Sequence, residues 1–397
     1  MKILIVTQYY LPDFGAPSFR MASFAEAFID KGHEVNVICA EPNRYAGLTN
    51  EDSKKRMEKV VRLPIAQSNS KLQKKINWMR FSSRIGKEVA KHSKRHDLVI
   101  CTSPPLTVPM AVRNRTGHVP VILDVRDLWP KALIDAKTVV NRLEISFLRR
   151  QEIKIYQMAT HIICTSPAYA NYLSRFKETT TVMNGVDTDW YEETKRITNK
   201  VVNEARKKIG LSDQHVLVTY SGNIGVGQDL RFVVEAAAKL DERVKFCLIG
   251  DGDEKDEIQK IISSRGLDDK VMILPVMNRL ETVKYLKASD MLLINLLDTD
   301  AHREAVPSKI FEYTVIGRPI IAGLKGVAAE ILLESETDVR FIRPSSEFDL
   351  IETIRNFRSA KGSNVEYNYN KFSRETQNSK LVALVEELFK VKKNRVK

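Results

Sequence analysis

The chain has 397 residues, 43% hydrophobic and 28% charged, with 17 Gly and 14 Pro; this excludes collagen-like, low-complexity and largely disordered classes and leaves room for two or three domains with buried cores. Its net charge of +13 is concentrated, because residues 71–95 carry nine Lys/Arg against the single acid Glu88 and residues 390–397 add five more with no acid. Two basic islands on an otherwise balanced body argue for local encounters with an anionic surface and against a nucleic-acid partner, whose contact face would spread the charge.

In chain order, apolar runs rich in Val and Ile occur at 3–7, 35–40, 97–101, 119–125 and 161–165, with helix-length intervals between them. The runs are continuously apolar, which predicts parallel strands covered by helices on both faces. The first turn, from Tyr9 to Arg20, joins the opening strand to a helix starting near Ser18. Gly15 and Ala16 are small enough to let backbone N–H groups approach a phosphate there, and Arg20 adds a positive charge. No GxGxxG is present, so dinucleotide binding gains no support.

Within 71–95, the helical period of about 100° per residue puts Arg80, Arg84, Lys87 and Lys91 on one face and Trp78, Phe81, Ile85 and Val89 on an adjacent one. A basic amphipathic helix of this kind is expected to lie on an anionic leaflet, with Trp78 and Phe81 entering the headgroup region. Asp127 follows the run at 119–125 with Asp124 and Arg126 close by. It is expected either to contact a substrate hydroxyl or to join a structural ion pair.

The charged stretch at 184–213 reads as a linker, after which the strand rhythm restarts at 216–221, 244–249, 271–274, 291–296 and 319–322. The fold class is therefore α/β, with two doubly wound Rossmann-like domains at 1–190 and 191–374 whose sheets present their carboxyl ends to a central cleft. The closing segment, 375–397, is free to pack back on the first domain. Tyr220 to Gln228 forms a strand, a turn with Gly222, Gly225 and Gly227, and the start of a helix near 229, which is the pattern of a phosphate-facing loop.

Glu304 and Glu312 are eight residues apart. Pro307 or Ser308 is suited to open a helix, placing Glu312 inside it and Glu304 on the loop before. The two carboxylates then reach different parts of one extended ligand, with helix-start amides between them as an anion site. Three Asp-x-Asp triplets, at 187–189, 251–253 and 298–300, read as turns or caps, so no catalytic metal and no cofactor is expected. Cys39, Cys101, Cys164 and Cys247 lie in apolar runs, as buried reduced thiols of a cytosolic protein would. Neither an export signal nor a spanning helix is expected.

Glu304-x7-Glu312 followed by Gly317-Arg318-Pro319-Ile320-Ile321-Ala322 resembles the signature of retaining, family-4-type GT-B glycosyltransferases. Asn184-Gly185-Val186-Asp187, Gly250-Asp251-Gly252 and the early Gly-bearing loop match the same family in the same order. Asp127-Leu128-Trp129-Pro130, Ser221-Gly222-Asn223-Ile224-Gly225 and Pro307-Ser308-Lys309 resemble the branch that transfers amino or deoxy sugars in bacterial capsule and O-antigen assembly.

The resemblance implies that Glu312 binds the ribose hydroxyls of a nucleotide and Glu304 contacts the transferred sugar. The amides around Val306, Pro307, Ser308 and Lys309 would hold the diphosphate, with Gly222, Gly15 and Ala16 also facing the donor. Asn223 and Gln228 stand where the family usually carries Arg and Lys, which removes two cations from that site. Lys309 is placed to compensate, with Arg303 or Arg20 as further candidates. The implied reaction moves an N-acetylated or deoxy sugar from a UDP-sugar to a polyprenyl-diphosphate-linked glycan at the cytoplasmic face of the inner membrane. The competing readings are a nucleotide-sugar epimerase of similar build and a weakly active nucleotide-binding partner subunit.

Overall fold

The Val/Ile-rich runs form parallel strands buried on both faces, and Ile3, Ile5, Ile100, Ile122 and Ile163 are all fully shielded from solvent. The structure, a computed structural model, describes residues 1–42, 57–66, 70–135, 141–358 and 363–395. It divides into two units, Met1–Asn184 with Glu375–Lys397, and Gly185–Arg374.

Unit 1 runs β1 (Lys2–Val6), α1 (Ala16–Asp30), β2 (Glu34–Ala40), β3 (Lys59–Leu63), α2 (Lys71–His92), β4 (Leu98–Ser103) and α3 (Thr107–Val112). It continues with β5 (Val121–Val125), α4 (Lys131–Asp135), α5 (Arg142–Met158), β6 (His161–Cys164), α6 (Pro167–Leu173) and β7 (Thr179–Thr181). The sheet order among the described residues is β3-β2-β1-β4-β5-β6-β7, all parallel.

Unit 2 begins with α7 (Thr188–Arg196), α8 (Asn199–Lys208), β8 (Val216–Asn223), α9 (Arg231–Lys239), β9 (Val244–Asp251), α10 (Lys255–Ser264), β10 (Val271–Leu274) and α11 (Arg279–Ala288). There follow β11 (Met291–Asn295), α12 (Asp300–Glu304), α13 (Lys309–Ile316), β12 (Ile320–Gly323), α14 (Val327–Leu333), β13 (Val339–Phe341), α15 (Glu347–Arg355) and α16 (Val365–Phe372). Its sheet is ordered β10-β9-β8-β11-β12-β13, again all parallel. In each unit the strand order reverses beside the first strand, between β1 and β4 and between β8 and β11. Ligands of open α/β sheets bind outside the carboxyl ends of the strands at such a reversal.

The last helix, α17 (Arg374–Arg395), belongs to unit 1 from Glu375 onward. Leu381, Val382 and Val385 enter the same core as Ile3, Ile5 and Phe24, and Gln377 Oε1 accepts from Met183 N–H at 3.2 Å. Of the basic tail at 390–397, the side chains beyond Lys390 lie outside the described residues.

Two expectations need correction. The stretch at 184–213 is not a bare linker, because it folds as α7 and α8 and buries Trp190, Tyr191 and Ala205. Its charges are the outer faces of two short helices, and Arg206 is buried, donating to the carbonyls of Ala288, Ser212 and His215. Glu304 is not on a loop, since it closes the one-turn helix α12, which is capped by Thr299 Oγ1 accepting from His302 N–H at 3.3 Å. All four cysteines are free and buried. Among the described residues no helix is long and apolar enough to cross a membrane.

Candidate functional site

The chain leaving β8 and the chain leaving β11 lie side by side at the strand reversal of unit 2, since the two strands pair directly. The β8 turn is pinned from both sides. Tyr220 Oη donates to Asn223 O at 2.6 Å, and the Tyr313 hydroxyl of α13 accepts from Ser221 N–H at 2.7 Å. Leu297 N–H donates to Gly227 O at 2.9 Å, and the buried Asn295 side chain donates to Gln228 O at 2.8 Å.

Glycine is required here by two close approaches. Gly222 has φ +138°, and a Cβ on it would meet Lys309 Nζ at 2.8 Å. Gly250, at the end of β9 with φ +153°, would push a Cβ to 1.9 Å from Gly222 O. The backbone at the end of β8 is therefore bare, with a lysine directly against it.

Lys309 opens α13, and its ammonium lies 3.7 Å from the centre of the Tyr220 ring. Burial pulls this lysine down to about 7, with the negative charge of Glu312 opposing the shift. Ile310 and Phe311 N–H turn back to the Pro307 and Ser308 carbonyls at 3.2 Å, so the amides left for a ligand at this helix start are those of Ser308 and Lys309. Val306 is buried, while Pro307 and Ser308 are half-buried.

Glu312 follows in the first turn of α13, half-buried. Burial raises its carboxyl, and Arg279, Arg374 and Lys309 partly counter that while Asp187 adds to it. Asp187 caps α7, accepting from Trp190 N–H at 2.8 Å, and pairs with Arg279 and, at 3.3 Å, with Arg374. Burial by itself would raise the Asp187 carboxyl, but the two guanidiniums prevail and hold it at about 2. The helix thus carries a carboxylate in a cationic setting one turn from an ammonium aimed at bare backbone.

Asn223 Nδ2 donates to Gln228 Oε1 at 2.9 Å, so these two amides partner one another across the turn. Arg303 is taken up by Asp298 at 2.6 Å, and Lys325 joins the same carboxylate at 2.5 Å. That removes Arg303 as a ready phosphate cation. Arg20 is removed more decisively. It is 2% exposed, pairs with the fully buried Asp124 at 2.8 Å, and donates to Met183 O at 3.1 Å. Gly15 sits at the N-cap of α1 in unit 1 with φ 136°, its carbonyl accepting from Ser18 and Phe19 N–H, and Ala16 begins the helix. Asp127 follows β5 in unit 1; the residue is exposed as a whole, but its carboxyl is shielded enough for burial to push it up to about 6, with Arg126 opposing the shift.

The basic helix also departs from expectation. Phe81, Ile85 and Val89 are buried at 1% exposure or less, so Phe81 is core and does not face a lipid surface. Arg80, Arg84, Lys87 and Lys91 point outward, and Trp78 is 36% exposed. The side chains of Lys71, Lys74 and Lys75 lie outside the described residues. The Asp-x-Asp triplets are otherwise engaged: Asp187 with two arginines, Asp251 with Lys255 at 3.5 Å, and Asp298 with Arg303 and Lys325.

Three groups at the site had no sequence signal. His302 lies against the glycine turn, where a Cβ on Gly227 would meet its Nε2 at 2.8 Å, and its Nδ1 is 3.0 Å from Thr299 Oγ1. Tyr313 and Arg279 arrive from helices whose pattern reports only burial.

Residues 19–190 match the family model Glycosyltransferase Family 4, and residues 201–374 match Glycosyl transferases group 1. The chain carries these two glycosyltransferase domains in succession. Among curated relatives, the Alpha-D-kanosaminyltransferase of Streptomyces kanamyceticus is 28% identical over 122 residues, 30% of either chain. The putative colanic acid biosynthesis glycosyl transferase WcaI of Escherichia coli (strain K12) is 32% identical over 117 residues, 29% of this chain and 28% of WcaI. The match thus spans less than a third of the length of each.

Solved structures extend the likeness to the whole fold. Anabaena HepE in complex with UDP and glucose has a TM-score of 0.74 at 17% identity, covering 98% of this chain and all of that one. The sucrose-phosphate synthase of Thermosynechococcus elongatus reaches 0.75 at 15% identity with the same coverage. WaaG, a glycosyltransferase involved in lipopolysaccharide biosynthesis, reaches 0.63 at 14% identity over 89% of both chains. The two Rossmann-like units are those of the GT-B fold, and the bare β8 turn, Lys309 and Glu312 all lie within the group 1 domain.

Proposed function

We propose that this protein is a glycosyltransferase that moves a sugar from a nucleotide-sugar donor held by its group 1 domain. The single observation carrying the reading is Lys309, whose ammonium lies against Gly222 at the strand reversal. A departing nucleoside diphosphate gains negative charge, and a fixed cation beside helix-start amides stabilises that charge as it develops. Glu312, one turn along, is suited to a vicinal diol, because a carboxylate accepts two charge-assisted hydrogen bonds from neighbouring hydroxyls. In this reading Glu304 meets the sugar, and Asp127 of the family 4 domain meets the acceptor hydroxyl.

The donor is a UDP-sugar, a choice supported by the UDP and glucose in the HepE structure. An amino or deoxy sugar is supported by the name of the kanosaminyl-transferring relative, and a role in surface polysaccharide assembly by the colanic acid relative. The acceptor is a polyprenyl-diphosphate-linked glycan, reached peripherally at the cytoplasmic face of the inner membrane. The outward cations of α2 support that location. Retention of configuration follows from the family resemblance, and no resident cofactor or metal is required.

The test offers a panel of UDP- and GDP-sugars to the full chain with a membrane lipid extract. Release of free nucleotide together with a heavier lipid is the expected result for one donor. Conversion of a donor to its epimer without acceptor, or nucleotide binding without turnover across the panel, would overturn the reading.

A further inference from the structure

Glu312 lies within reach of the charges of Arg279, Arg374 and Lys309, yet among the described residues its carboxylate accepts no hydrogen bond and closes no ion pair. Helix α13, which carries it, packs on α7, α11 and α16, and both guanidiniums come with those neighbours: Arg279 opens α11 and Arg374 lies just beyond α16. A half-buried carboxylate beside arginines ordinarily forms charge-assisted bonds with them. Here Asp187 takes both. Its Oδ2 pairs with Nη1 of Arg279 in close contact and with Nη1 of Arg374 at 3.3 Å, while its Oδ1 accepts from Trp190 N–H at 2.8 Å.

Each guanidinium is also fixed from a second side. That of Arg279 lies over the Trp190 ring, 5.1 Å from its centre, and Arg374 Nε donates to Gly185 O at 3.4 Å. Gly185 has φ +65°, and a Cβ on it would meet Phe372 O at 2.7 Å, so the Gly185-Val186-Asp187 segment runs directly against the chain that delivers Arg374. Arg374 N–H closes that contact by donating to Val186 O at 2.7 Å. We propose that Asp187 is a positioning residue of the donor site, which holds Arg279 and Arg374 off Glu312 so that both Glu312 oxygens stay open to the vicinal diol of the ligand. The proposal rests on the reading of Glu312 as the diol-binding carboxylate and supplies the reason that it is available. After Asp187, Glu312 is the anion that acts most strongly on Arg279. Without the Asp187 charge, Arg279 would close on Glu312 and take the oxygens that the diol needs, while Arg374 is retained by Gly185 O.

The experiment measures binding of UDP and of 2′,3′-dideoxy-UDP to the full chain by calorimetry. The wild type should prefer UDP by about tenfold or more, because only UDP carries the diol. Asp187→Asn keeps a side-chain oxygen for the Trp190 cap and removes the charge. It should lower UDP affinity to that of the dideoxy nucleotide and leave the latter almost unchanged. Asp187→Asn with Arg279→Gln removes the competing guanidinium and should bring the preference for UDP back. A merely structural aspartate predicts an equal loss for both nucleotides and no recovery in the double variant, and either result would overturn the proposal, as would an Asp187→Asn protein that keeps the full preference. If the single variant does not fold, the double variant decides alone, since a folded double variant without the preference overturns the proposal too. A wild type that does not distinguish the two nucleotides removes Glu312 from the diol and this role with it, so the wild type tells the two failures apart.

Discussion

The ammonium of Lys309 rests 3.7 Å from the Tyr220 ring centre, at a point where Gly222 offers it no side chain. The ring face attracts the cation, but burial disfavours the charged form more strongly, and the lysine is held near 7. A diphosphate arriving at this position would restore the charge.

Donor binding above about pH 7 should therefore take up a proton. UDP affinity is expected to fall by roughly tenfold per pH unit above that point, and titration calorimetry in buffers of different ionisation enthalpy should report uptake approaching one proton. Stability of the empty protein should run the other way. The unfolded lysine, at about 10.4, holds more protons than the folded one between these values, so stability rises with pH across that window. Lys309→Ala should abolish the proton uptake and lower turnover by about 100-fold or more; near-normal turnover would remove Lys309 from the chemistry.

Glu312→Gln separates binding from folding. Losing a charge-assisted contact to the nucleotide should weaken UDP about 10- to 100-fold. The thermal midpoint should hold or rise, because burial already works against this carboxylate. A drop in stability with unchanged UDP affinity would make Glu312 a structural residue.

Asp187 carries the opposite signature. Its carboxyl is held at about 2 by Arg279 and Arg374 against the effect of burial. Asp187→Ala leaves two partly buried arginines without their anion and should cost about 3–5 kcal/mol. The stability this pairing contributes is present above the unfolded carboxyl value of about 4 and is lost as pH falls through about 2, so the gap between wild type and variant should close on acidification. Thermal unfolding followed from neutral pH downward measures it directly.

Arg20 makes a stability prediction in place of a catalytic one. Arg20→Ala leaves the fully buried Asp124 without the guanidinium that hydrogen-bonds it, with only the charge of Arg126 still nearby, and should cost about 3 kcal/mol. Arg20→Ala with Asp124→Ala should recover part of that loss. A folded single variant that loses only turnover would return Arg20 to the site.

The chain's own periodicity determined most of the fold. Ten of the strand regions announce themselves as apolar runs, nine because central parallel strands bury both faces and β10 because its edge position still carries Val, Met, Ile and Leu, and the order of turns and helices between them followed. The strands that went unread, β3, β7 and β13, all lie at sheet edges. Lys59-Val60-Val61-Arg62-Leu63, Thr179-Thr180-Thr181 and Val339-Arg340-Phe341 keep polar or half-exposed positions there, so no unbroken apolar run marks them. Local sequence likewise placed Gly222, Lys309 and Glu312 on elements leaving the same end of one sheet.

What only tertiary structure decided was which charged and apolar side chains are already committed. Arg20 meets Asp124 across 104 residues of chain, Asp187 meets Arg279 across 92, and Phe81 is drawn into the core although its helix reads as amphipathic and basic. Periodicity registers one residue against its near neighbours along the chain. Whether a cation remains available to a ligand depends on the counter-charge that a distant strand or helix delivers, and that pairing exists only once the sheet has assembled.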